Sequence, residues 1–379
     1  MNALGIQNGG KCAPTKQVTA LLSSSGIPTR IIFFNHLFIF VLLQIGCHPV
    51  ADSPSCNVSE KSEPPLGVSE MSALALSGYK SSAVLSLAFT DNRHLCSVSD
   101  NGIVKVFDIH ASSEEAYSFH VNNRVVGMDY LPSTNKLVTA DISALYASDL
   151  FGRPQANDSV SFPSYQFLAF SNGIAIFNEP DKGILLVNLI SKRTRSIPSP
   201  DGDLDGINTA ICSPKGNLLI AGGAVGILRQ WDLGEQGIKV RWNYEINCPI
   251  YGLAVSPDGN TIGVAASDKI VRLLNVRDGS VIKKLNIASE GVDQHLLYSN
   301  DGMMLISIEP VGDNCQPSLI RFWDVKKGLE ICPPFVGHKH RIKSCCLSPD
   351  NSFLATGSLD GSILIWKVPT LQKKRRQGS

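Results

Sequence analysis

The chain has 379 residues, 43% of them hydrophobic and 18% charged, which is enough apolar material for a large folded domain and excludes disorder throughout. Its formal net charge is only +1, so no whole-molecule attraction to nucleic acid or anionic membrane is expected, and any basic patch must be local. The ten cysteines are scattered from Cys12 to Cys346 without a C-x-x-C pair; this excludes a small disulfide scaffold and reads most of them as small core residues.

Residues 1–46 read as a signal or membrane-anchor segment. Arg30 precedes an apolar run over 31–45, in which only Asn35, His36 and Gln44 are polar, and Gly46-Cys47 follows. Such a run falls short of the ~20 residues a spanning helix needs but suits the core of a secretory signal. Leu43-Gln44-Ile45-Gly46-Cys47 also resembles a bacterial lipoprotein cleavage box, in which Cys47 would carry the lipid; Gln44 departs from that pattern. A single uncleaved anchor and a locally packed or spurious extension are the alternatives. Residues 47–70 are rich in Ser, Pro, Glu and Asp and read as a flexible linker.

From residue 71 onward the chain repeats with a period of roughly 40–45 residues. A short apolar stretch over 71–76 and the pair Gly78-Tyr79 open the series. Units then end at Asp108, at Ser148-Asp149 and at Asn188, the third keeping only a strand pattern around Phe167 to Leu189. The next unit, 207–232, has the turn Ser213-Pro214-Lys215-Gly216-Asn217 and closes on Trp231-Asp232. The fifth, 250–275, shows the pattern clearly: an apolar run, the turn Ser256-Pro257-Asp258-Gly259-Asn260, a second run, a tight turn at Ser267-Asp268-Lys269 and a third run. The sixth closes on Trp323-Asp324, with 309–317 read as a lengthened second turn. The seventh, 342–367, carries Ser348-Pro349-Asp350-Asn351 and ends at Trp366.

Each unit thus reads as three short strands joined by two turns. Strands so short cannot bury a face alone, so neighbouring units must stack, and a closed ring removes the open edges that a linear stack would leave. The expected fold class is all-β, a seven-bladed propeller over 71–369 with a non-globular N-terminal extension and a basic C-terminal tail over 370–379.

Gly337-His338 through Trp366, together with Trp231-Asp232 and Trp323-Asp324, resembles the WD40-repeat β-propeller family. That resemblance implies a blade offset from the sequence repeat, with one outer strand of the last blade supplied by residues near Ser72. It also implies a structural tetrad in the last unit, formed by His338, Ser358, Asp360 and Trp366, with Thr356 as the alternative hydroxyl beneath the Trp. Read as a hydrolase triad, the same His, Ser and Asp would need an exposed nucleophile and an oxyanion donor, so the structural reading is preferred.

Other constellations have plain readings. Cys345 and Cys346 are adjacent on a strand and point to opposite faces, which disfavours a shared metal. Gly222, Gly223 and Gly226 precede a strand rather than the helix a dinucleotide site needs, and read as a tight turn. Asn57-Val58-Ser59 and Asn157-Asp158-Ser159 match the glycosylation pattern. Lys339, His340 and Arg341, with Leu359 and the charge of Lys343, are the candidate partner-binding residues on one face. Lys373-Lys374-Arg375-Arg376 reads as a solvated end, a nuclear-import signal, or a contact for acidic lipid or nucleic acid.

The resemblance implies a non-catalytic scaffold that holds protein partners through loops and rim, with no metal and no cofactor; neither nucleic acid nor a small molecule is the expected ligand. The alternative is an exported enzyme or small-ligand receptor using the central channel, which requires several carboxylates, imidazoles or aromatics converging on the axis. The apolar run points to an exported or membrane-anchored protein, the basic tail to a cytoplasmic or nuclear one.

Overall fold

Branched apolar residues alternate with small or polar ones along most of the chain, and Gly, Asn, Asp or Pro interrupts them every few positions. The outcome is strands and tight turns, with no helix among the described residues. A computed structural model describes residues 73–80, 82–111, 113–121, 124–163, 165–179, 182–198, 206–234, 237–287, 295–310 and 317–371. The expected signal or anchor segment, Cys47, the linker, Ser72 and the tail from 372 lie outside them.

The first strand, β1 (Leu74–Leu76), stands apart from those that follow it in the chain. Blade one is β2 (Val84–Phe89), β3 (His94–Ser99), β4 (Ile103–Asp108) and β5 (Glu115–His120). Blade two is β6 (Gly127–Leu131), β7 (Lys136–Ala140), β8 (Ala144–Ser148) and β9 (Pro154–Ser161). Blade three is β10 (Gln166–Ser171), β11 (Ile174–Glu179), β12 (Gly183–Asn188) and β13 (Thr194–Pro198). Blade four is β14 (Ile207–Cys212), β15 (Leu218–Gly223), β16 (Ile227–Asp232) and β17 (Lys239–Glu245). Blade five is β18 (Ile250–Val255), β19 (Thr261–Ala266), β20 (Ile270–Asn275) and β21 (Val281–Asn286). Blade six is β22 (His295–Tyr298), β23 (Met304–Pro310), β24 (Ser318–Asp324) and β25 (Leu329–Glu330). Blade seven is β26 (Ile342–Leu347), β27 (Phe353–Ser358) and β28 (Ile363–Lys367), completed by β1.

All seven sheets are four-stranded and antiparallel, six of them consecutive meanders, so each unit read as three strands is joined by a fourth, outer one, which in blade seven is β1. The inner strands pack in sequence, β2 on β6, β6 on β10, β10 on β14, β14 on β18, β18 on β22 and β22 on β26; β26 then packs on β2 and the ring is closed. In the sixth unit the first two residues of the turn expected over 309–317 belong to a strand, and 311–316 lie outside the described residues. Glu309 and Pro310 continue β23, paired with Leu319 and Ser318, because Ser307 and Arg321 supply polar partners for the buried Glu309 carboxylate.

The core lies between blades rather than within them. Seven buried apolar clusters occupy the seven seams, each drawing side chains from two adjacent blades. At the rim, several outer strands also reach across to the next blade's turn: Arg195 Nη2 donates to Gly234 O at 2.9 Å, Trp242 Nε1 to Val276 O at 3.0 Å and Lys283 Nζ to Val325 O at 3.1 Å.

Closure depends on β1. Leu74, Ala75 and Leu76 pair with Ile365, Leu364 and Ile363, and Tyr79 N donates to Gly361 O at 2.8 Å. Here the chain comes so close to itself that a Cβ on Gly78 would lie 2.0 Å from Gly361 O, while Gly361 itself holds φ +79. Leu76 and Tyr79 are buried in the seam between blades seven and one. Leu76→Ala is expected to cost roughly 2–5 kcal/mol in urea melts. Deleting residues through 76, but not through 72, is expected to lower the melting temperature and induce self-association, since β28 then becomes an open edge.

Candidate functional site

A connected set of buried polar side chains lies in blade seven. His338, from the loop entering the blade, is buried and makes two hydrogen bonds: Nδ1 to Ser362 Oγ at 2.6 Å and Nε2 to Thr356 Oγ1 at 2.7 Å. Trp366 Nε1 donates to the same Thr356 oxygen at 2.8 Å, and Ser362 donates its hydroxyl to Asp360 Oδ1. Burial holds the His338 imidazole down at about 4, against the opposing pull of Asp360 and Thr356, so it is neutral at pH 7. With a carboxylate that only accepts and an indole that only donates, the directions follow. Nδ1–H donates to Ser362, Ser362 to Asp360, Thr356 to Nε2, and Trp366 to Thr356.

Three of the four expected tetrad residues, His338, Asp360 and Trp366, come together; Ser358 does not join them. Trp366 stands opposite Leu354, and its ring reaches the diagonal neighbour Thr356; Ser358 is a further two residues along β27, about 7 Å more. The Ser358 hydroxyl instead accepts from Asp360 N at 3.3 Å. No hydroxyl in this set can act as a nucleophile: Thr356 and Ser358 are fully buried, and the Ser362 hydroxyl is committed to His338 and Asp360.

The same diagonal arrangement recurs with other residue types. In blade one, Tyr79 stands where His338 stands and shares a 2.8 Å hydrogen bond with Ser97, while Phe107 replaces the Trp. In blade six, Trp323 Nε1 donates to Ser307 Oγ at 3.0 Å and Ser307 to Glu309 Oε1 at 2.8 Å; Arg321 then links Glu309 to Glu330. Burial pushes the Glu309 carboxyl up, with Ser307 and Arg321 pulling the other way. Blade four keeps Trp231 but has Ala221 at the hydroxyl position, and Arg229 lies over the indole at 5.9 Å. Sequence reasoning passed over Tyr79–Ser97 and Glu309–Ser307 as networks, although the spacing of Ser97 to Phe107 and Ser307 to Trp323 carries the signal.

On the face proposed for partner binding, Lys339 is exposed, and His340 and Leu359 are half-buried. Arg341 is a correction: only 6% of it is accessible, because it immediately precedes the inner strand of blade seven and its carbonyl accepts from Leu359 N at 3.0 Å. Cys345 packs toward blade six and Cys346 toward blade one, on opposite faces of β26. Gly226, with φ +79, forms the tight turn between β15 and β16, and Asn157-Asp158-Ser159 lies within β9. Among the described residues no group of His, Cys, Asp and Glu could hold a metal, and no helix is long and apolar enough to cross a membrane.

Comparison with known proteins follows this geometry. The family model described as "WD domain, G-beta repeat" matches residues 72–108, 242–275 and 331–367. The first match takes in β1, the second opens within β17 and the third in the loop after β25, and each ends with the third strand of the next blade, so the sequence repeat is offset from the structural blade. A WD repeat-containing protein WDS homolog of Arabidopsis thaliana is 33% identical over 141 residues, covering 36% of this chain and 25% of that protein. Cilia- and flagella-associated protein 52 of Bos taurus is 29% identical over 141 residues, 37% of this chain and 21% of the relative. Telomerase protein component 1 of Rattus norvegicus is 28% identical over 114 residues, 30% of this chain and 4% of its own length. The chain therefore matches a quarter or less of the length of these relatives.

Two stability predictions follow from the blade-seven network. Thr356→Val removes the oxygen shared by two buried groups and is expected to cost roughly 2–4 kcal/mol, against under about 1 kcal/mol for Ser358→Ala; Trp366→Ala should cost roughly 3–5 kcal/mol. Urea melts compare them. The unfolded chain protonates His338 near ~6.5, whereas the native state resists until about 4. Its contribution to stability is therefore complete above ~6.5 and lost as pH falls toward 4, by up to about 3 kcal/mol. His338→Gln should flatten stability measured between pH 7 and pH 4.5.

Proposed function

We propose that this WD40-repeat propeller is a non-catalytic scaffold that binds protein partners through its loops and rim. The observation that carries the reading is the use of its reactive side chains. His338, Thr356, Asp360 and Ser362 bond to one another inside a blade, while the inner strands of the seven blades close a ring. WD-repeat relatives and the three matched repeats support an interaction role in general. The channel reading needs several converging acids or imidazoles. Among the described residues, the seven inner strands hold one carboxylate, Asp129, and one imidazole, His295. The Asp129 carboxyl is raised to about 6 by burial, but a single displaced acid makes no acid and base pair.

The N-terminal run over 31–45 adds export or membrane attachment to this proposal, with Cys47 as a candidate lipid carrier; the alternative is a cytoplasmic or nuclear scaffold. Cross-linking mass spectrometry on the tagged full chain tests the scaffold, with links expected from protein partners to loop residues such as Lys339 on several blades. Saturable turnover of a small molecule, abolished by Asp129→Asn, would overturn it. Mass analysis of the mature first residue tests export: a product retaining Met1 would end that part of the proposal.

A further inference from the structure

The outer strand of a blade begins opposite the end of the third strand, so strand pairing fixes which residues share one level of the rim. Val240 lies opposite Trp231 in blade four, Val281 opposite Leu274 in blade five and Leu329 opposite Asp324 in blade six. Their counterparts in the first three blades are Glu115, Pro154 and Thr194. Ile282, the extra residue of an irregularity in β21, adds to the apolar side, as does Met303, whose carbonyl accepts from Val325 N at 3.1 Å at the same end of blade six. All five are exposed, Ile282 and Leu329 most, at 53% and 62%. Five of the nine exposed large apolar side chains among the described residues therefore gather on one edge of three successive blades.

The same edge is cationic. The stretches 239–241, 281–284 and 325–329 hold six Lys or Arg and no Asp or Glu. Lys283 is engaged with the carbonyls of Val325 and Lys326, and Lys327 with Asp324. Lys239, Arg241, Lys284 and Lys326 are exposed and make no ion pair or side-chain hydrogen bond among the described residues. The nearby acids are already occupied: Asp232, Asp278 and Asp301 accept from their own turns, and Glu330 holds Arg321. Separate aliphatic side chains set among lysines, with no Phe, Tyr or Trp in these stretches, differ from a protein interface, which concentrates aromatics and excludes Lys. They match a lipid headgroup layer, which takes up aliphatic side chains while Lys stems carry their charge to the phosphates. Because all of them lie at the end where the third strands finish, one flat surface can meet the three blades together.

We infer that this edge of blades four to six is a contact for an anionic phospholipid bilayer, separate from the N-terminal run. The inference goes beyond the scaffold reading and does not depend on it. The test is acetylation of surface lysines in the full chain, read by mass spectrometry, with vesicles of phosphatidylcholine alone or mixed with phosphatidylserine. Lys284 and Lys326 are expected to be protected several-fold by the mixed vesicles and not by phosphatidylcholine, and protection should fade as salt rises. In vesicle sedimentation, Lys284→Glu with Lys326→Glu, and separately Ile282→Glu with Leu329→Glu, should each lower affinity for the mixed vesicles at least tenfold while leaving urea melts unchanged. Val225→Glu, an equally exposed position at the opposite end of blade four, should leave affinity as it is. Labelling that is the same with and without phosphatidylserine, or affinity unmoved by both paired variants, would overturn the inference. Protection of Lys373 and Lys374 in place of Lys284 and Lys326 would assign binding to the tail and overturn it too. So would protection by a membrane-free extract but not by vesicles, which would give the edge to a protein partner.

Discussion

No blade of this protein owns a core. Every large apolar cluster lies in a seam and is shared by two sheets, so the burial that stabilises one blade is supplied by its neighbours. A ring is the arrangement in which this dependence has no unprotected end, and it accounts for the position of β1. Without that short strand the last sheet would have three strands, an uncovered edge and a thinner contact with blade one.

Shared burial tolerates variation in a way that a single central core would not. The third-strand residue facing the preceding blade is Trp in blades four, six and seven, Phe in blade one, Leu in blade five, Val in blade three and Ser in blade two. Polar reinforcement varies alongside. A His–Thr–Trp set holds blade seven, a Tyr–Ser pair blade one, a Trp–Ser–Glu–Arg chain blade six and a buried Glu179 bonded to Tyr165, Lys182 and Ser196 blade three, while blade five has apolar contact at the same positions. These networks orient entering loops against strands. Their contribution is register and loop placement, since a partly satisfied buried set would destabilise the fold.

What could be read in advance was local in kind. The Ser-Pro-Asp-Gly turn at 256–259 declares itself because its residues bond to one another: Ser256 accepts from Thr261 N, and Asp258 from Asn260 N. The seven third strands were legible from their apolar runs and closing Trp, Asp or Asn. The outer strands were not, because sequences such as Lys239–Glu245 alternate about a largely exposed surface and carry little apolar signal. Choosing Thr356 over Ser358 required the register of β27 against β28, a pairing that spacing alone leaves open. Arg341 showed the same limit: its charge suggested a surface, and its place at the head of an inner strand buried it.

The pairing of Leu74 with Ile365 spans almost the whole propeller, and this has a temporal meaning for a polypeptide made from its N-terminus. While the ribosome works through blades one to six, the latch strand has no partner and blade one has an exposed flank. The growing molecule is an arc with two sticky ends until β28 emerges. Joining those ends is then the last event of assembly and the slowest in entropic terms, which makes the unfinished arc the state in which chaperones, or a second arc, would encounter the protein.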